Sequence, residues 1–287
     1  MIGIVYNPLT NKGASVERMK KIREELDNRG VQYEYRESTY AGESVKLAGE
    51  LAETCDVLVS AGGDGTFFEV VNGSLDKDVT YAMLPFGSGN DTSRTLGIFG
   101  KTDSELIDVI LDGEVVDFDC AMFNDDRVSM QFLAFGIVSE VLANFVKMKK
   151  SRAINYVMAL LGSILKHRPK RYKVIVDGEE KEYLANMVAS MNIRTAGSGM
   201  MICPTASVSD RGLDLVIVEF RSRRRFLCNL IALGRGKLLD QPNVIHKIVT
   251  ECTFIPHTVE DCNVDGECIP FERLDIKLYP KQIKVKH

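Results

Sequence analysis

The chain has 287 residues, 45% of them hydrophobic, enough for one large or two ordinary domains with filled cores. Its 36 Lys plus Arg against 40 Asp plus Glu give a net charge of −4, which argues against broad electrostatic binding to nucleic acid. No uncharged apolar run approaches the length of a bilayer crossing, and Met1-Ile2-Gly3-Ile4-Val5-Tyr6 reads as a first strand rather than a signal peptide. A cytoplasmic chain is therefore expected, one that meets any lipid substrate from the membrane surface. Seven cysteines without a Cys-x-x-Cys pair read as reduced, mostly buried thiols.

From Met1 to about Asp119 strands and helices alternate. A strand over 2–6 precedes a helix over 15–28, in which Val16, Met19, Ile22 and Leu26 share one face and Gly30 stands just past the end. Strand 31–36, helix 43–54, strand 56–60, helix 66–73, strand 79–84 and helices near 91–97 and 103–111 complete a parallel α/β layout. Three strand-to-helix turns then fall on the carboxyl edge of the sheet, where open α/β sheets bind ligands. The first runs from Asn7-Pro8 to Gly13, with Lys12 able to reach a phosphate. The second is Gly62-Gly63-Asp64-Gly65-Thr66, and the third is Gly87-Ser88-Gly89-Asn90-Asp91.

Glycine lets the backbone come close to a phosphate, and the N–H groups at the start of the following helix attract anionic oxygen. Thr66 lies three residues before Glu69, the spacing of a capping box, and Asn90 or Asp91 is placed to cap the next helix. Neither loop ends in the Gly-Lys-Ser/Thr of a Walker A loop, so no lysine inside it neutralises nucleotide phosphates. A carboxylate-held metal ion is expected in that role, with Asp64 its first ligand.

Beyond about Asp119 the pattern changes to strands at 128–135, 171–176, 181–191, 214–220, 244–255 and 273–279, with Asp-Gly turns at 177–178 and 265–266. Helical stretches at roughly 137–166 and 222–234 interrupt this antiparallel second domain. The first is rich in methionine and leucine, as in Met148, Met158, Leu160 and Leu161, suiting either core packing or the wall of an acyl-chain pocket.

Taken together in order and spacing, several motifs resemble the bacterial diacylglycerol kinase-like lipid kinases, a family related to sphingosine kinases and more distantly to NAD kinases. They are Asn7-Pro8, the loop 62–66 with Glu69-Val70-Val71-Asn72-Gly73, Pro85-Phe86 with the loop 87–91, Asn192, Gly197 to Gly199, Pro204, 210–214, and Val264-Asp265-Gly266-Glu267. The resemblance spans nearly the whole chain. It implies an α/β nucleotide-binding domain over 1–119, with a parallel sheet, and a β-sandwich lipid-substrate domain with a helical insertion over 120–280. The tail 281–287 would return to the first domain. ATP and a lipid hydroxyl would meet in the cleft between domains, with Mg²⁺ screening the phosphates. Asn7, Lys12, Gly62, Gly63, Gly65, Thr66, Gly87, Ser88, Gly89 and Asn90 would hold the nucleotide.

Phosphoryl transfer to a hydroxyl calls for an acid or base at the acceptor and carboxylates for the metal. Asp-Gly-Glu occurs at 112–114, 177–179 and 265–267, and pattern alone does not choose among them. The resemblance selects the last and makes Glu267 the counterpart of the family's catalytic acid. It likewise makes Asp119, with Asp117 a close rival, the aspartate of the catalytic centre. Asp210 matches a position that holds a structural Mg²⁺ in some members, although Arg211 replaces the usual following glycine; a plain turn aspartate is the other reading.

Basic groups at 147–152, 166–171 and 221–225 suit either an anionic membrane or solvated helix ends. The four histidines show no ligand pattern. The expected activity is transfer of the γ-phosphoryl group of ATP to diacylglycerol, at the inner membrane face. A sphingoid base as acceptor, NAD phosphorylation and non-catalytic ATP sensing are the alternatives, and the sequence leaves a homodimer open.

Overall fold

The computed structural model describes residues 1–13, 15–124, 127–147 and 162–287. The chain divides into two units, Met1–Phe118 with Lys281–His287, and Asp119–Pro280.

In the first unit β1 (Ile2–Tyr6), α1 (Val16–Asn28), β2 (Tyr33–Glu37), α2 (Glu43–Leu51), β3 (Val57–Gly62), α3 (Asp64–Gly73), β4 (Thr80–Pro85), α4 (Asp91–Thr95), α5 (Asp103–Asp112) and β5 (Val115–Phe118) follow in order. The sheet runs β2-β1-β3-β4, all parallel, and then takes in the last strand, Ile283–Lys286, parallel to β4 and antiparallel to β5. β1, β3 and β4 are buried on both faces, as unbroken apolar runs require, whereas the edge strand β2 is half-buried at best. α1 buries Met19, Ile22 and Leu26. Val16, expected on that face, is 53% exposed because it opens the first turn, short of the sheet. α5 is held at its start by a capping box between Thr102 and Glu105.

The second unit is an antiparallel, β-sandwich-like domain. It contains β6 (Ala121–Phe123), β7 (Arg127–Ser129), β8 (Phe132–Gly136), α6 (Ile137–Lys147), β9 (Lys170–Val176), β10 (Glu179–Met191), β11 (Thr195–Ala196), β12 (Met200–Met201), β13 (Leu213–Glu219), α7 (Arg223–Leu233), β14 (Val244–Val249), β15 (Glu251–Pro256), β16 (Glu260–Val264), β17 (Glu267–Phe271) and β18 (Leu274–Leu278). β10 is the hub, flanked by β8, β9 and β13. Its half 185–191 is wholly buried and packs Met187, Ala189 and Met191 against Phe132, Ile202, Val216 and Leu238. Asp177-Gly178 and Asp265-Gly266 both have positive φ at both residues, as tight hairpins of this hand need.

Two strands expected to be continuous are broken. The run 128–135 divides at Met130-Gln131, where backbone N–H groups turn to a buried carboxylate described below; 244–255 divides at Thr250. Of the helical stretch expected over 137–166, α6 and a short piece over 162–166 are described, while Met148, Met158, Leu160 and Leu161 lie outside the described residues. No helix among the described residues is long and apolar enough to cross a membrane. All seven cysteines are thiols, with Cys228 and Cys268 exposed and the other five buried.

Candidate active site

β3 and β4 are parallel neighbours paired to their last residues, Ala61 with Leu84 and Gly62 with Pro85, so both glycine loops leave the same sheet edge side by side. The Phe86 N–H donates to the Gly62 carbonyl at 2.8 Å. One residue on, the loops touch through glycine alone: a β-carbon at Gly63 would lie 3.2 Å from the Gly87 Cα. By contrast, a β-carbon at Gly65 would meet nothing within 4 Å, which leaves open space beside the start of α3.

The capping box expected from Thr66 and Glu69 does not form. α3 begins at Asp64 with Gly63 as its cap, so Thr66 is already inside the helix, and Glu69 instead accepts the Gly42 N–H at 3.2 Å. Asp64 caps the neighbouring helix. Its two carboxylate oxygens accept the N–H groups of Asp91 and Thr92, each at 3.1 Å, and so close the second loop onto the third. Asn90, the residue before α4, makes no side-chain cap bond. Asn90, in the left-handed region, donates its amide to the Gly87 carbonyl at 2.7 Å and the Pro85 carbonyl at 3.4 Å. The Asn90 Oδ1 is buried without a partner among the described residues.

Burial pushes the Asp64 carboxyl above its ordinary range and the Asp91 charge adds to this, while the N–H groups of Thr92 and Asp91 pull the other way. The Thr92 side chain also bonds this carboxylate, whose two oxygens are hard donors of the kind a Mg²⁺ ion accepts. The first turn joins the same edge: the Asn7 amide donates to the Thr66 hydroxyl at 3.3 Å, and its Oδ1 accepts the Leu9 N–H at 3.0 Å. Ser88 is exposed and Gly89 half-buried in the third loop. The Lys12 side chain lies outside the described residues.

In the second unit Asp119 is fully buried. Its carboxylate accepts the Arg211 backbone N–H at 2.7 Å and the Arg211 guanidinium at 3.1 Å. The guanidinium also donates to the carbonyls of Tyr279 at 3.4 Å and Pro280 at 3.2 Å. Arg211 takes φ +61°, the backbone a glycine would favour, so the substituted side chain occupies a glycine-like turn and supplies the cation for Asp119. The Asp119 carbonyl accepts the Asn192 amide at 2.6 Å. Asp117 belongs to β5 of the first unit and is exposed.

Asp210 is exposed and caps its own turn, accepting the Gly212 N–H at 3.1 Å. Among the described residues neither Asp210 nor Asp64 belongs to a cluster of three metal-ligating side chains.

Glu267 opens β17 and is exposed. The residue missed in the sequence is its neighbour Asp265, buried and surrounded by donors: the Ser129 hydroxyl at 2.6 Å and the N–H groups of Met130 at 2.7 Å, Phe132 at 2.9 Å and Gln131 at 3.0 Å. It ties the β7–β8 break to the β16–β17 turn and thereby sets the start of the strand bearing Glu267. Burial pushes its carboxyl up to about 6 against those four donors. In the sequence only its place in an Asp-Gly turn was visible.

Residues 1–123 match the model of the diacylglycerol kinase catalytic domain, and residues 134–287 match the YegS C-terminal NAD kinase beta sandwich-like domain. A diacylglycerol kinase of Mycobacterium tuberculosis is 28% identical over 249 residues, 83% of this chain and 79% of its own length. A diacylglycerol kinase of Bacillus subtilis is 24% identical over 271 residues, 92% of this chain and 88% of its own. A crystal structure from Bacillus anthracis str. Sterne, described as that of a candidate diacylglycerol kinase, superposes with a TM-score of 0.83. It covers 100% of this chain and 94% of its own at 22% identity, a likeness of fold.

Proposed function

The chain belongs to the diacylglycerol kinase-like family of bacterial lipid kinases, and on that premise we propose that it transfers the γ-phosphoryl group of ATP to the free hydroxyl of diacylglycerol, giving phosphatidic acid and ADP. The observation that carries the nucleotide half of this reading is the side-chain-free contact of Gly63 with Gly87, beside open space at Gly65 and under the N-terminus of α3. Exposed backbone N–H groups and the positive helix end there suit a polyphosphate.

Asn7, Gly62, Gly63, Gly65, Thr66, Gly87, Ser88, Gly89 and Asn90 hold the nucleotide in this reading, and Lys12 reaches a phosphate. The Asn90 Oδ1, without a partner among the described residues, accepts a hydrogen bond from a hydroxyl or amine of the nucleotide. Asp64 holds both loops together and would serve as a carboxylate ligand of Mg²⁺, which when bound neutralises charge on the phosphates. Glu267 takes the proton of the lipid hydroxyl as its oxygen bonds the γ-phosphorus and the bond to the β-phosphate oxygen breaks. Asp119, held by Arg211, keeps a fixed negative charge for the same chemistry. Positioning and electrostatics supply most of the rate, because the transferring group passes through a loose, highly charged state.

Peripheral binding at the inner membrane face completes the reading. α7 leaves Leu227 and Ile231 exposed one turn apart, beside the exposed Arg221, Arg223 and Arg224, an apolar and cationic face suited to anionic lipid. Of the other basic groups, the Lys147 side chain and Lys149, Lys150 and Arg152 lie outside the described residues.

The test is ADP release from Mg²⁺-ATP by the purified protein against diacylglycerol, sphingosine, ceramide and NAD in detergent micelles, with Asp64→Asn as control. Release stimulated by diacylglycerol is expected. Stimulation by NAD alone, or ATP binding without release on any lipid, would overturn the reading.

A further inference from the structure

Apart from the residues given catalytic or nucleotide-binding roles above, three side chains of the second unit converge on one point. Asp214 on β13 and His246 on β14 are diagonal neighbours on one sheet face, since Asp214 pairs with Ile248 and His246 with Val216. The His246 Nε2 lies 2.6 Å from the Asp214 Oδ1 and 3.9 Å from the Cys203 Sγ, and the three donor atoms all fall within 4.8 Å of one another. Cys203 follows β12, is fully buried, and has the Thr205 hydroxyl 3.6 Å from its sulfur.

Two features separate this cluster from ordinary alternatives. In a nucleophile–base–acid relay the thiol and the carboxylate would sit on opposite nitrogens of the imidazole. Here both face Nε2, so the donors surround a point and do not form a chain. Burial, reinforced by the Asp214 charge, also pushes the Cys203 thiol up to about 12, the reverse of an activated nucleophile. Second, Asp214 is 2% exposed and forms no ion pair with any lysine or arginine among the described residues; its cationic partner is at most His246. A buried carboxylate is costly without a cation.

From these positions we infer that Cys203, Asp214 and His246 form a binding site for a borderline transition-metal dication, with zinc as the ion. Thiolate, imidazole and carboxylate are a zinc donor set, whereas a hard ion such as Mg²⁺ does not select sulfur. Tetrahedral zinc sets its sulfur and nitrogen ligands about 3.6 Å apart and its nitrogen and oxygen ligands about 3.4 Å apart. The sulfur–nitrogen separation is already close to this. The His246–Asp214 hydrogen bond opens by less than about 1 Å to admit the ion. Three protein ligands leave the fourth position to water, on the side where the His246 ring is 25% exposed. Binding releases the Cys203 proton to solvent and leaves the thiolate and carboxylate charges balanced by the dication.

The experiment uses full-length protein with the exposed Cys228 and Cys268 both changed to serine, titrated with Co²⁺ and then Zn²⁺. One equivalent of Co²⁺ is expected to give a thiolate charge-transfer band and tetrahedral ligand-field bands, both abolished by Zn²⁺. Cys203→Ser should remove the charge-transfer band, and His246→Gln should weaken zinc binding about 100-fold, with circular dichroism unchanged in both. A charge-transfer band that survives Cys203→Ser, or zinc affinity unchanged in His246→Gln, would overturn the assignment. So would the absence of any band in folded starting protein.

Discussion

A β-carbon at Gly87 would stand 2.6 Å from the Cα of Gly63 and 2.7 Å from the Asn90 Oδ1, so the two glycine loops can meet as they do only with glycine at 87. Gly87→Ala must therefore push backbone against backbone, which costs about 1–3 kcal/mol of stability and at least about a tenfold loss of ATP affinity. Gly65→Ala behaves differently: its β-carbon meets no protein atom within 4 Å and alanine favours the helix. Thermal unfolding should be unchanged or raised, while ATP affinity falls because the methyl enters space assigned to the ligand. Calorimetry of both variants checks this; undiminished ATP binding in Gly65→Ala would place the phosphates elsewhere.

Asp64→Asn separates the two duties of that carboxylate. The amide keeps one acceptor for the N–H groups of Asp91 and Thr92 and turns a donor toward the other, costing about 1–2 kcal/mol. Turnover should fall at least about a hundredfold, more than one lost hydrogen bond explains. Turnover near that of the parent, measured at saturating ATP, would reduce Asp64 to a helix cap.

For the pair in the second unit, Arg211→Ala leaves Asp119 buried with a single N–H partner, and urea unfolding should show a loss of about 1–3 kcal/mol. Arg211→Lys should not restore it, because an ammonium lacks the planar fork that meets Asp119, Tyr279 and Pro280 together. In the double variant with Asp119→Asn the losses should be less than additive.

Asp265 should titrate in the folded protein near pH 6, read from the carboxyl carbon by NMR. Between the unfolded value of 3.8 and the folded value of about 6 the native chain holds a proton that the unfolded chain has lost. This group thus favours folding most below pH 4, and that contribution declines as pH rises to 6, by up to about 3 kcal/mol. A midpoint below 4 would mean that the four donated hydrogen bonds outweigh burial.

Short-range demands were legible in the sequence. The loops 62–66 and 87–91 announce themselves because glycine answers a local need for bare backbone, and the alternating elements of the first unit because apolar periodicity sets a strand or helix over a few residues. Reading Thr66 and Glu69 as a capping box failed for a tertiary reason: α3 starts earlier, and the Gly42 N–H claims Glu69 from another segment. The weight placed on Glu267 within 265–267 passed over Asp265, whose four donors come from residues more than a hundred positions away. That Arg211 pairs with Asp119 was equally out of sight, since the two stand 92 positions apart.

By itself the sequence determined the alternating strands and helices of the first unit from β1 to α5, the two glycine loops at the carboxyl edge and, through motif order, the family. Tertiary structure alone decided that Asp64 caps α4, that Arg211 serves Asp119, that Asp265 lies buried, and that Cys203, Asp214 and His246 share one point. Backbone propensity acts over a few residues, whereas the charge state and partners of a buried side chain depend on which distant strands are brought beside it.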